Sequence, residues 1–217
     1  MFKTPFINRM KDETLEAHDQ SKDSGFAVTI MGGEWSPRAF AEWQRALYPV
    51  YATLESILKK NRKDPNLSVF DHRKLDRADR IYHDLSTLGI DPVEDPSTLP
   101  SVPKYVNAVS SAGSSVPRIM AYHYTRYMGD MIGGQVIARS MREKYGMSDY
   151  SLTCYDFSEL GDLYHYRKTY KTLLELIPWS TEEREEFVNE VKTAYEVNAL
   201  LFEELYDMLD AMHKKVG

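Results

Sequence analysis

The stretch of this 217-residue chain with the clearest chemical potential runs from Tyr122 to Met141, where Gly129, Gly133 and Gly134 sit inside an otherwise strongly helical pattern. Each interior glycine costs about 0.5–1 kcal/mol relative to alanine. Three of them weigh noticeably against a native stability of about 5–15 kcal/mol, so their presence needs a reason. Gly129 and Gly133 lie four apart on one face and leave the backbone bare there, which suits close approach by another helix or by a flat ligand. Asp130 stands beside that face, with Arg126 four residues before it and Tyr127 three before it. One turn therefore gathers a carboxyl, a permanently charged guanidinium and a phenol, the groups of a proton-handling site or of an ordinary surface ion pair.

A second candidate is His18, in LEAHDQ, on the apolar side of a predicted helix. A lone histidine in such a place is more often structural, but a neutral imidazole is also the commonest metal ligand. His72, His83, His123, His165 and His213 form no HxxxH pattern and no carboxylate cluster, which argues against a multi-residue metal site. Cys154 has no visible activating partner and reads as a small apolar side chain.

The elements that must hold these residues are helices. Phe6 to Ser21 places Phe6, Met10, Leu15, Ala17 and His18 at amphipathic spacing. After the glycine turn in MGGEWSP, Ser36 and Pro37 predict the cap and first residue of a long helix over 37–61, with Pro49 as an expected kink. NRKDPNLSVFDHRK reads as a loop, and Leu75 to Leu88 as a shorter helix ended by Gly89. Four prolines between Asp91 and Pro103 mark an irregular connection. Helices are expected again over Ser101–Ser111, Val116–Tyr145, Glu159–Leu176 and Thr181–Lys214. The stripe Leu200, Leu201, Phe202, Leu205, Met208, Leu209 and Met212 reads as a packing seam. The expected architecture is an all-α bundle, a single domain over 1–217.

Composition narrows the function. A formal net charge of −6 and a pI near 5.6 give no global basic field for nucleic acid. No window holds the roughly 18–20 apolar residues of a membrane span, and the N-terminus lacks the apolar run of a signal peptide. One cysteine excludes an internal disulfide framework and fits a reducing, cytoplasmic setting. A monomer is expected. There is no GxGxxG fingerprint for a flavin or dinucleotide.

YTRYMGDMIGGQVIARSM closely resembles the distal-helix signature of heme oxygenases, usually written TRYLGDLSGGQ. LEAHDQSKDSGF resembles the family's proximal-histidine helix and EVKTAYEVNALLFEEL its C-terminal helix, so the resemblance spans nearly the whole chain. It implies a helical bundle holding b-type heme between a proximal and a kinked distal helix. It implies oxidative cleavage of heme to biliverdin, carbon monoxide and ferrous iron, with oxygen as co-substrate and electrons from a ferredoxin or a flavin-dependent reductase. Non-catalytic storage or transfer of heme or another tetrapyrrole on the same bundle is the alternative; a distal acid is unnecessary for that role.

Residue by residue, the resemblance makes His18 the axial ligand to iron, with Glu16 or a water orienting its other ring nitrogen. Gly129 and Gly133 would lie against the porphyrin, with Gly134 in the same cofactor-contacting stretch. Asp130 would deliver protons through an ordered water, in a network with Arg126 and Tyr51. Lys11, Arg167 and Lys171 would meet the heme propionates, joined by the Tyr124 hydroxyl. The sequence departs from the family pattern at Ile132, where a serine is common, a change that bears on which meso carbon is opened.

Overall fold

A computed structural model describes residues 5–32, 34, 36–70 and 72–214 of the chain. In chain order the helices are α1 (Phe6–Lys22), α2 (Gly25–Met31), α3 (Pro37–Lys60), α4 (Pro65–Ser68), α5 (His72–Leu75), α6 (Ala78–Thr87), α7 (Ser101–Ser111) and α8 (Val116–Gly129). A π-helical turn, Asp130–Gly134, leads into α9 (Gln135–Tyr145), followed by three short 3-10 turns, α10 (Leu163–Leu176) and α11 (Thr181–Lys214). No strand forms among the described residues.

The long helix α11 is the axis of the bundle, packing against α8 and α1 on its sides and against α7 and α2. Leu201, Leu205 and Leu209 are buried while Leu200 is exposed, so this part of the apolar stripe is a packing seam, as its spacing predicts; the Met212 side chain lies outside the described residues. Phe26 of α2 stacks on Phe202 with ring centroids 5.3 Å apart, and Trp43 of α3 lies 4.8 Å from Phe202. Burying the Phe26 and Trp43 rings stabilises the fold by roughly 1.5–3 kcal/mol each.

Several boundaries differ from the sequence pattern for local reasons. Ser24 caps α2, a helix not among those the sequence pattern predicts, its side chain accepting from the Ala27 N–H. Ser36 makes no side-chain cap, although Pro37 does open α3, and α3 runs unbroken through Pro49. Helix α10 starts at Leu163 rather than Glu159, because Asp162 caps it by accepting from the His165 N–H at 2.8 Å. Gly89 follows α6 at φ 78°, the left-handed conformation expected just past a helix end.

Two long-range contacts hold the ends of the site. Both oxygens of Glu175, on α10, accept from the Phe6 and Ile7 N–H groups at 2.9 Å, which caps α1 from another helix. Arg77 is buried before α6 and donates to the carbonyls of Leu75, Lys74, Cys154 and Asp156, with Phe157 under its guanidinium at 4.1 Å. That guanidinium stitches the loop after α9 to the base of α6.

Candidate functional site

The helix predicted to continue from Val116 to Tyr145 opens into the π turn at Asp130. A π turn widens the helix by one residue and is a recurrent cause of kinks at functional sites. Arg167 of α10 holds it from outside, Nη1 donating to the Met131 carbonyl at 2.9 Å. Gln135 holds it from the other end, donating to the Tyr155 carbonyl at 2.8 Å.

The glycines separate into two kinds. A Cβ built on Gly129 or Gly133 would meet no atom within 4 Å, so close helix packing is not what keeps these positions bare. Gly134 is the reverse case: it is buried, and a Cβ there would overlap the Tyr155 ring, so packing on that ring is a reason for this glycine. That ring cannot retreat easily, because its hydroxyl accepts from Trp43 Nε1 at 3.0 Å and Gln44 Nε2 at 3.1 Å.

Behind the glycine face lies a buried polar network. The Tyr51 hydroxyl, from α3, donates to Asp130 Oδ2 in a short hydrogen bond. Arg126 Nε donates to the Tyr51 oxygen at 3.2 Å, and Arg126 Nη1 to Asn198 Oδ1 on α11 at 2.7 Å. Asn198 Nδ2 donates in turn to Ser21 Oγ at 2.8 Å. Arg126 Nη2 stands 3.6 Å from Asp130 Oδ1, an ion pair without a direct hydrogen bond. Arg126 and Asp130 are each 6% exposed, which removes the surface ion pair as an explanation for this trio. Tyr127, the phenol singled out in the sequence, points elsewhere, its hydroxyl 3.5 Å from Glu55 Oε1; Tyr51 takes its place beside Asp130.

The electrostatics follow from burial. Burial pushes the Asp130 carboxyl above the usual carboxylate range, opposed by Arg126, the Tyr51 hydrogen bond and Arg77. Burial likewise keeps Tyr51 protonated and donating. Arg126 remains charged: burial opposes its charge, but the oxygens of Tyr51, Tyr105 and Asp130 outweigh it.

Glu55 is a second buried carboxyl, not singled out by sequence. Its Oε1 accepts from the Arg77 and Ala78 N–H groups at 2.6 and 3.0 Å, yet burial still raises its pKa to about 7. A carboxyl that binds its proton more tightly when folded adds stability below its unfolded pKa and loses it as pH rises toward 7. Glu55→Gln should therefore match the parent near pH 4 and exceed it at pH 8, by up to about 3 kcal/mol. Urea unfolding at the two pH values checks this; an equal offset at both would refute it.

His18 lies on α1, half exposed, its Nδ1 3.0 Å from Asp19 Oδ1 and its ring edge-on to Tyr195 with centroids 5.4 Å apart. The orienting acceptor is thus Asp19, not Glu16.

The predicted cations converge. Lys171 has its pKa lowered by partial burial, then by Lys11 and Arg167, so all three lie within electrostatic reach. Glu175, four residues after Lys171, is already engaged at the α1 terminus. Lys168 and Lys171 line an open depression of about 280 Å³ with Ile7, Thr172, Glu175 and Leu176. Tyr124 is less available than its hydroxyl suggested: it is buried against Tyr170 and Phe187, and burial raises its pKa to about 12.

Sequence reasoning missed Asn198, Ser21, Asp19, Tyr195 and Tyr105, whose buried hydroxyl faces Arg126 and Asp130. Only Asn198 carried a usable signal, as an amide inside the apolar stretch of α11. His83 and His165 bond to the Tyr150 carbonyl and to Asp162, and no cluster of metal-ligating residues occurs among the described residues. The side chains of His72 and His213 lie outside the described residues. No helix is long and apolar enough to cross a membrane among those described.

Comparison with known proteins adds a family. A family model described as heme oxygenase matches residues 4–204. A heme oxygenase of Porphyra purpurea is 30% identical over 203 residues, covering 91% of this chain and 85% of its own. Human heme oxygenase 1 is 26% identical over 205 residues, 92% of this chain and 71% of its own. The fold matches that of Synechocystis heme oxygenase-1, solved in complex with heme, with TM-score 0.87, 24% identity and 98% of both chains covered. A TenA homologue of Pseudomonas syringae shares it at TM-score 0.70 and 13% identity over 93% of both chains.

Proposed function

The chain belongs to the heme oxygenase family, and from that premise we propose that its substrate, heme, is held between His18 on one side and the Gly129–Gly133 face on the other. The protein is a heme-degrading oxygenase. Heme, when bound, supplies the iron at which oxygen is activated and is itself the molecule opened, to biliverdin, carbon monoxide and ferrous iron.

The residues fit this group. His18 offers a ring nitrogen to the iron, with Asp19 Oδ1 3.0 Å from Nδ1 and so placed to orient the ring. Gly129 and Gly133 let the ring approach the backbone to contact distance, since no neighbouring atom occupies the space their side chains would fill. Lys11, Lys171 and the remaining N–H groups of Arg167 face the anionic propionates, and relief of their mutual repulsion favours an anion there.

Asp130 is the proton-handling group. Its Oδ2 is committed to Tyr51, while Oδ1 is held only loosely by Arg126 and is free to hold or release a proton through an ordered water. The buried, fully connected Asp130–Tyr51–Arg126 network beside two bare glycines carries this reading, because a storage protein needs no distal acid. The reading extends to oxygen as co-substrate, electrons from a ferredoxin or a flavin-dependent reductase, and a monomer acting in the cytoplasm.

The test is stoichiometric addition of ferric heme, then a reductant and oxygen. A Soret shift at one equivalent followed by biliverdin and carbon monoxide is the expected result. Binding without ring opening would favour storage, and absence of binding would remove heme altogether.

A further inference from the structure

We propose that Ser21 is a positioning residue, tying the helix that carries His18 to the distal acid through Asn198. The proposal rests on the functional reading above, but the bridge exists in the protein alone.

Helices α1 and α8 do not pack extensively on each other; each packs on α11. A polar chain through α11 and α3 links them: Ser21 Oγ to Asn198, Asn198 to Arg126, Arg126 to Tyr51, Tyr51 to Asp130. Ser21, Asn198, Arg126 and Asp130 are all buried. Ser21 follows His18 by three residues, hence on a neighbouring face of the same helix.

The orientation of the Asn198 amide is the point of control. A guanidinium can only donate, so Arg126 needs the amide oxygen, and the amide nitrogen must then find an acceptor on the other side. Ser21 Oγ is that acceptor. Alanine would suit a buried helical site at least as well for propensity, so the hydroxyl, not the backbone, is what the site uses. Without it the buried Nδ2 is unsatisfied and the amide is free to turn. Arg126 would then lose its acceptor and close the 3.6 Å separation from Asp130 Oδ1. A closer guanidinium favours the carboxylate, against a background set by Tyr51 of α3, Tyr105 of α7 and Arg77.

The experiment follows Asp130 by carbon-13 carboxyl NMR in the heme-free protein. Ser21→Ala should lower the Asp130 pKa by about half a pH unit or more, on the scale of one neighbouring charge moving closer. Ser21→Thr, which keeps the hydroxyl, should restore it. In an Asn198→Leu background Ser21→Ala should have no further effect. In the heme complex the same variant should shift the acid–alkaline transition of the ferric spectrum. An unchanged Asp130 titration in Ser21→Ala, or an undiminished shift in the Asn198→Leu background, would overturn the bridge. Because this titration needs no heme, it stands apart from a failure of heme binding, which would overturn the functional reading instead.

Discussion

Asp130→Asn should lower biliverdin formation by about a hundredfold or more while heme affinity changes little. The magnitude is that of a positioned proton donor, worth about 10²–10⁴ in rate. Affinity should be spared because the proposed iron ligand and cations are elsewhere, on α1 and α10. Asparagine is the informative replacement, since its amide oxygen still accepts from Tyr51 while the side chain cannot hold or release a proton at carboxyl strength. Asp130→Ala should lose the same activity but also stability, on the order of 3–5 kcal/mol, because Arg126 keeps a buried charge without its partner. Single-turnover product analysis with thermal unfolding of both variants separates the two effects. Normal yields from Asp130→Asn would remove the carboxyl from the chemistry.

The second large effect is a contrast among glycines. Gly129 has helical dihedrals, φ −59° and ψ −48°, and open space where a Cβ would go. Gly129→Ala should therefore stabilise the heme-free protein by about 0.5–1 kcal/mol, the ordinary helix-propensity gain. It should at the same time weaken heme binding by roughly 5–100-fold, the equivalent of about 1–3 kcal/mol of steric overlap with a ring pressed on the backbone. Gly134→Ala should do the opposite to the fold, destabilising it by about 1–3 kcal/mol as the methyl meets the anchored Tyr155 ring. Chemical denaturation and heme titration of both variants measure this. A Gly129→Ala protein with better stability and undiminished affinity would mean that the glycine face does not touch heme.

Much of this arrangement was legible in the residues, for identifiable reasons. Long amphipathic stretches such as those of α3 and α11 repeat their apolar positions often enough to be read one side chain at a time. The clustered glycines and Asp130 stood out because they violate helix propensity, and violations concentrate where a site needs them. What sequence could not reach depended on tertiary geometry. The π turn leaves no mark on a hydrophobic period, since Asp130–Gly134 read as continuous helix. Gly134 looked like its neighbours until Tyr155, from a distant loop, was placed against it. Asp19 displaced Glu16 as the partner of His18 because the ring turned toward the next residue rather than the preceding turn. Ser21 and Asn198 are 177 residues apart and meet only once α11 lies along α1.

Axial ligation of bound heme offers the sharpest single check. Ferric heme added to His18→Ala should lose the histidine–iron stretch in resonance Raman of its reduced form, and exogenous imidazole should restore a neutral-imidazole signature. Unaltered axial coordination in that variant would show that the iron is held by some other side chain, and that the face opposite Gly129 is not where heme is anchored.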